Sequence, residues 1–273
     1  VKHPSKILQP TLTVVALVAL LGVPFWLVIA TAGKDQAEAL NPNLAPPTTW
    51  HLWENFAEVF HDGRMLAALL GSLVIMVPAV LGTLILGSLG AWVLARRSER
   101  WMAILYALAI SGVVLPPAVV TIVLLLRQLR LAGTVPGMVG VYMGMYLSTA
   151  IFLITGFVRT IPTELEEAAR VDGAKPLRIF FQLILPLLTP VLATTTIMLC
   201  LYIWNDVFYA LFVIGGRVDT LPLNLFQVAS AGLYLNNWHL IFAYVILMSL
   251  PLLITFVLAQ RRIISGITSG AVK

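Results

Sequence analysis

Six apolar runs decide what this chain can fold into: Thr11 to Ala32, Leu66 to Ala95, Trp101 to Leu126, Gly137 to Val158, Pro186 to Phe208 and His239 to Ala259. Each reaches the roughly 20 residues that a helix needs to cross a hydrocarbon layer about 30 Å thick. No water satisfies the backbone inside that layer, so a spanning segment closes its hydrogen bonds internally, as a helix does, or joins a closed barrel. The alternation of a membrane barrel is absent. The pattern predicts an all-α, polytopic membrane protein with about six transmembrane helices. Composition agrees, since 60% of the 273 residues are hydrophobic and 11% are charged, a balance at odds with a soluble domain of this size.

Lysine and arginine set the orientation, because short loops rich in them stay in the cytoplasm. With the N-terminus inside, the cytoplasmic segments hold Lys2, Lys6, Arg96, Arg97, Arg100, Arg159, Arg170, Lys175, Arg178, Arg261, Arg262 and Lys273. The outer segments hold Lys34, Arg64, Arg127, Arg130 and Arg217. Twelve against five predicts both termini in the cytoplasm. The net charge of +5 then has a topological origin, and its spread over several loops calls for no nucleic-acid partner. The first run, preceded by Lys2 and Lys6 and ending in Ala30-Thr31-Ala32, also has the outline of a signal peptide, but its length and Pro24 favour a retained helix.

Residues 1–65 are expected to form the first helix plus an extracytoplasmic cap, and residues 66–273 a core of about five helices. From Gly33 to Arg64 the segment sets Asp35, Glu38, Glu54, Glu58 and Asp62 among Pro42, Pro46, Pro47, Trp50 and Trp53. It reads either as a structured cap for a partner or as an amphipathic stretch anchored at the interface by its tryptophans. Cys200, the single cysteine, sits in the fifth run and leaves no intrachain disulfide.

The loop at 159–186 is too organised for a tether. Thr163 and Glu166 have capping-box spacing, and Glu164 and Glu167 add negative charge where a helix dipole favours it. Leu165, Ala168, Ala169 and Asp172 fall on one face that is nearly flat in its middle. Gly173 suits a left-handed C-terminal cap, and Pro176 the first turn of a following helix. A short helix, a sharp turn and a second helix follow, either as a docking elbow or as an amphipathic element lying on the membrane.

Glu167-Ala168-Ala169, Gly173 and Leu183-Ile184-Leu185-Pro186 at these spacings resemble the EAA signature of ABC importer permeases, with Leu183 standing where isoleucine is usual. Pro46-Pro47-Thr48-Thr49-Trp50 through Asn55, Ile203-Trp204-Asn205 and the ending Gly270-Ala271-Val272-Lys273 are similar to the carbohydrate-uptake branch, in its MalG-like half. The resemblance implies a type I importer permease fold in a bacterial inner membrane. It also implies a second, MalF-like permease, two ATPase subunits that bind ATP and Mg, and an extracytoplasmic binding protein. On that reading Glu166, Glu167, Ala168, Ala169, Asp172 and Gly173 form the ATPase-coupling surface. The loop Gly215, Gly216, Arg217, Val218 and Asp219 takes the position of a loop that contacts the binding protein, though it reads equally as a plain glycine turn.

Energy must come from another chain, because no phosphate-cradling loop is present: Gly33-Lys34 is followed by Asp35. No cofactor, metal site or catalytic group is expected here, since His3, His51, His61 and His239 are scattered. A secondary carrier or channel is the alternative class, yet the apolar runs hold almost none of the buried acids such carriers use. Asp206 is the exception, and it serves either a substrate pathway or a charge reaching interfacial water. Tyr202, Trp204, Asn205 and Tyr209 beside it suit a sugar, or equally an interfacial aromatic belt. A mono- or oligosaccharide is the expected cargo, with glycerol 3-phosphate or a related polyol ester as the alternative. Pro116-Pro117 breaks the third run and reads as a kink or a gating hinge.

Overall fold

In a computed structural model the described residues are 5–62, 64–115, 117–230 and 237–271, without the side chains of residues 5–9, 62, 228, 256 and 258–271. Lys2, His3, Pro116, Val272 and Lys273 lie outside them. All regular elements among the described residues are helical. They are α1 (Ser5–Leu17), a wide π turn (Val18–Gly22), α2 (Val23–Ala32), α3 (Gln36–Ala39), α4 (Leu52–Asp62), α5 (Met65–Arg96), α6 (Arg100–Ser111) and α7 (Val119–Gln128). There follow α8 (Val135–Val158), α9 (Glu164–Val171), α10 (Pro176–Ile179), a second π turn (Phe180–Ile184), α11 (Leu185–Leu187), α12 (Thr189–Trp204), α13 (Phe208–Val213), α14 (Leu221–Ser230) and α15 (Trp238–Ala271). The two π turns share a cause. Pro24 and Pro186 have no amide hydrogen, and their rings crowd the carbonyls of Leu20 and Gln182, each of which sits in the widened turn.

Among the described residues four helical stretches are long and apolar enough to cross a membrane: Pro10–Ala32, Met65–Arg96, Val135–Val158 and Trp238–Thr255. A bent pair, Pro176–Leu187 and Thr189–Trp204 meeting at 75°, is apolar enough to make a fifth if the two count as one span. The expected third span is not one helix. It divides into α6 and α7, of 12 and 10 residues, which at about 1.5 Å per residue fall well short of a bilayer core. The break falls between Ser111 and Val119, where Pro117 can donate no backbone hydrogen bond. The fifth run likewise begins its helical course at Pro176 rather than Pro186.

The chain forms two compact units, Val1–Ala68 with Leu221–Leu252, and Leu69–Thr220 with Leu253–Lys273. In the first, the segment after α2 is an ordered cap. Asn55 Nδ2 donates to the carbonyls of Ala32 (2.8 Å) and Lys34 (2.9 Å), and Lys34, itself buried, donates through Nζ to Asn43 Oδ1 at 2.8 Å. Asp35 caps α3 by accepting from the Glu38 amide, and Trp26 Nε1 donates to the Leu44 carbonyl. These directional bonds, those of Asn55 buried, fix the segment as structure. Trp50 and Trp53 nevertheless keep much of their surface outside.

In the second unit α5 and α8 approach closely where side chains are small. A Cβ built on Gly87 would stand 2.9 Å from the Ala150 Cβ, inside van der Waals contact. Beside that seam lies a core of Ala91, Ala150, Ile154, Val158, Ile161, Ile179, Phe180, Ile184 and Leu188. It joins the ends of α5 and α8 to the elbow carried by α9, α10 and the second π turn.

Candidate functional site

The elbow begins as the sequence predicts and closes by a different device. Glu164, Glu166 and Glu167 occupy the first turn of α9, but Thr163 makes no side-chain capping bond. The Glu166 carboxylate is engaged elsewhere. It is buried, at 2% exposure, and accepts from Arg96 Nε at 2.7 Å and Trp92 Nε1 at 3.1 Å, both from the last turns of α5. Arg96 also donates through Nη2 to the Ile161 carbonyl at 2.8 Å, while Arg170 stands 3.7 Å from the second carboxylate oxygen. A charged donor in a low-dielectric setting competes better for a carboxylate than an exposed backbone amide does, which is why the capping box does not form.

The end of α9 matches expectation. Gly173 has φ +77°, its amide donates to the Arg170 carbonyl and the Ala174 amide to the Ala169 carbonyl, each at 3.0 Å. That is a Schellman cap, and only glycine takes the left-handed position without strain. Pro176 opens α10. The expected flat face is divided: Ala169 packs against the core, whereas Glu167, Ala168, Asp172 and Gly173 are exposed. Leu165 and Val171, with Leu177 after the turn, leave apolar surface uncovered on this elbow, Val171 at 88% exposure. Of the six residues assigned to the coupling surface, Glu166 and Ala169 therefore fix the elbow from within and the other four lie on its outside.

Around α12 and α13 the structure gathers a tyrosine cluster. Tyr142, Tyr146 and Tyr202 stack in series, with ring centroids 6.2 and 5.6 Å apart. Asp206 accepts from Tyr142 Oη at 2.8 Å and from the amides of Ala210 (3.0 Å) and Tyr209 (3.3 Å), so it caps α13. Tyr209 Oη donates to the Pro117 carbonyl at 3.2 Å, giving the broken α6–α7 segment one tie. Trp204 is buried, and Asn205 turns back to its own helix through Nδ2 to the Leu201 carbonyl at 2.8 Å. Tyr202, half exposed, is thus the member of the predicted pathway set with open aromatic surface in contact with the cluster.

A cavity of about 550 Å³ opens between the α6–α7 break and α8, lined by residues that include Leu115, Pro117, Leu125, Gly140, Val141 and Gly144. Among the described residues no polar side chain lines it, so the hydroxyls of a sugar would find few partners there. In the loop after α13, Gly215 and Gly216 have φ +60° and +79° and are exposed with Arg217. Asp219 is half-buried, and its carbonyl lies so near Gly71 of α5 that a Cβ there would be 2.0 Å away.

Sequence reading missed Trp92, Arg96, Tyr142 and Tyr146. Trp92 and Arg96 are four residues apart at the end of an apolar run, a spacing that places them on one helix face and was available as a signal. Tyr142 and Tyr146 repeat that spacing within the fourth run. No group of histidine, cysteine and carboxylate residues able to hold a metal occurs among the described residues.

A helical membrane core with a bolted, partly exposed elbow is the architecture of a transport subunit, and comparison with known proteins identifies the kind. Residues 83–268 match the family described as "Binding-protein-dependent transport system inner membrane component", and the chain belongs to that family. It is a multi-pass inner-membrane permease subunit of an ABC importer, not an enzyme, which sets aside the secondary carrier or channel. The melibiose/raffinose/stachyose import permease protein MelC of Bacillus subtilis (strain 168) is 35% identical over 259 residues, covering 92% of this chain and 91% of the relative. The probable starch degradation products transport system permease protein AmyC of Thermoanaerobacterium thermosulfurigenes is 32% identical, covering 99% and 98%. Among solved structures, a chain of a bacterial ABC transporter involved in the import of the acidic polysaccharide alginate superposes with a TM-score of 0.79 at 21% identity, covering 94% of this chain and 95% of that one. It supports the fold.

Proposed function

We propose that this permease passes a mono- or oligosaccharide, delivered by an extracytoplasmic binding protein, and that ATPase subunits drive it by gripping the elbow at 159–186. The observation that carries the reading is the elbow itself: an exposed surface of Glu167, Ala168, Asp172 and Gly173 on a helix whose other side is locked into the core by Glu166 and Ala169. A tether would transmit nothing, whereas a bolted helix passes force to the bundle. Small side chains at 168 and 173 let a partner approach closely, and Glu167 offers a charge for a basic group there. The full assembly then holds a MalF-like second permease and two ATPases that bind ATP and Mg. Both termini and the elbow face the cytoplasm, and the 215–219 loop faces the binding protein.

The sugars named for the two relatives favour an oligosaccharide over glycerol 3-phosphate. Tyr202, at the open end of the tyrosine stack, is the group best placed to face a sugar ring, with Tyr209 and Asp206 holding its surroundings. Co-purification of the tagged chain in mild detergent is expected to recover an ATPase and a second permease. The accompanying binding protein, titrated with raffinose and maltotriose, is expected to bind at least one. Recovery of the chain alone, in detergent that preserves such complexes, overturns the coupling reading; a binding protein that takes neither sugar but binds glycerol 3-phosphate overturns the cargo.

A further inference from the structure

Two contacts lie towards opposite ends of α5. At one end Arg96 and Trp92 hold the buried Glu166 of α9; at the other Gly71 lies against the Asp219 carbonyl of the loop after α13. Both belong to one helix of 32 residues, continuous through Pro78, and the stretch from Gly71 to Arg96 rises about 38 Å at 1.5 Å per residue, long enough to cross the membrane. We propose that α5 is a connecting rod between the ATPase-facing elbow and the binding-protein-facing loop, and that Arg96 is the positioning residue that fastens the rod to α9. The inference rests on the coupling reading above.

The chain offers α9 two covalent routes into the bundle, and neither is as stiff. Towards α8 the connection is the turn at 159–163; towards α12 it passes the left-handed turn at Gly173 and then the π turn and the 75° bend. Each of these routes has a joint at which backbone angles can change. The link to α5 has none, because Glu166 meets two donors from adjacent turns of one helix, and Arg96 also donates through Nη2 to the Ile161 carbonyl just before α9. Sliding α9 along α5 would strand a carboxylate and a guanidinium away from water, so the two helices move together or not at all.

The far end is equally tight. With a Cβ position 2.0 Å from the Asp219 carbonyl and 3.1 Å from Val218 Cγ1, Gly71 leaves no slack, so a displaced α5 must displace the loop. Packed elements of this kind pass small shifts without absorbing them. The arrangement gives each side of the membrane a mechanical report of the other, and linkage makes it reciprocal.

The test uses the assembled transporter with Cys200→Ser and Arg217→Cys, labelled by a maleimide reagent in the nucleotide-free state and after trapping with ATP and vanadate. Trapping is expected to change the labelling rate at position 217 severalfold, and Arg96→Gln to abolish that change while vanadate still traps nucleotide. Trp92→Phe removes one donor and leaves the ion pair; it is expected to assemble normally and to show a diminished response, and it decides the matter if Arg96→Gln fails to assemble. An unchanged response in either assembled variant overturns the inference, as does a lower yield of complex with a normal response per complex. Failure of the complex to trap nucleotide at all overturns instead the coupling reading beneath it.

Discussion

Glu166 and Asp206 are both carboxylates at the margins of the helical bundle, held by two and three hydrogen bonds, yet they are held in opposite ways. The partners of Glu166 come from 70 and 74 residues away and include a guanidinium. Those of Asp206 are a tyrosine hydroxyl and two amides within four residues of it. A charge paired with a charge needs its partner, because neither can return to water. A charge capping a helix has redundant neutral donors and closes a local turn. The elbow therefore depends on a single long-range pair, whereas the α12–α13 corner is built from several small contributions.

Removing Arg96 breaks the comparison most severely. Arg96→Ala leaves Glu166 buried without its cation and is expected to cost about 3 to 5 kcal/mol, read as a fall in the unfolding midpoint of the purified permease in mild detergent. Arg170 is too distant and too exposed to replace it. Glu166→Gln, which keeps an acceptor for one donor, should lose less. Were Arg96→Ala near neutral, the elbow would be held by packing alone and the contrast with Asp206 would vanish.

How far each region was legible follows from the same distinction. The left-handed Gly173 and the helix starting at Pro176 were readable because a cap is a local event and its residues are adjacent. The break in the third run was legible in Pro116-Pro117, but apolar length alone did not show that the two sides form separate short helices rather than one kinked span. Glu166 was placed on the coupling surface by the resemblance and in a capping box by its spacing from Thr163; the Arg96 that holds it lies in a segment that only folding brings near. Asp206 was singled out correctly as unusual, but its three donors were invisible, two being backbone groups and the third a tyrosine 64 residues away. Ala169 shows the limit of helical periodicity: the pattern puts it beside Ala168, and the direction of the core decides which of the two is covered.

At the α12–α13 corner, Asp206→Ala removes a helix cap and a charge-assisted bond together and is expected to cost about 2 kcal/mol. Asp206→Asn retains acceptor capacity for the amides and should cost less than about 1 kcal/mol, checked by the same detergent unfolding. A cost for Asp206→Asn as large as that of Glu166→Gln would show that the negative charge itself matters at both places. The contrast between a paired and a capping carboxylate would then fail.

Gly173→Ala tests the elbow without touching its ion pair. The added Cβ meets nothing within 4 Å, so any effect comes from the backbone, which must hold φ +77°. The expected cost is about 1 to 2 kcal/mol, concentrated in the turn and seen as faster amide exchange at Gly173 and Ala174. Asparagine at the same position should recover part of the loss, because its side chain tolerates the left-handed region.

Tyr142→Phe is the mildest change and the most informative about redundancy. Tyr142 is buried, at 2% exposure, and its ring would keep its place on Tyr146, so only the hydroxyl is removed. Asp206 would lose one donor and keep the amides of Ala210 and Tyr209. A single hydrogen bond to a charged group with other partners should cost about 1 kcal/mol. Its effect on sugar uptake is expected to be small, while Tyr202→Ala, which removes the open end of the same stack, should reduce uptake with little loss of stability. If Tyr142→Phe instead cost as much as Arg96→Ala, Asp206 would depend on one long-range partner just as Glu166 does, and the two corners would be built alike.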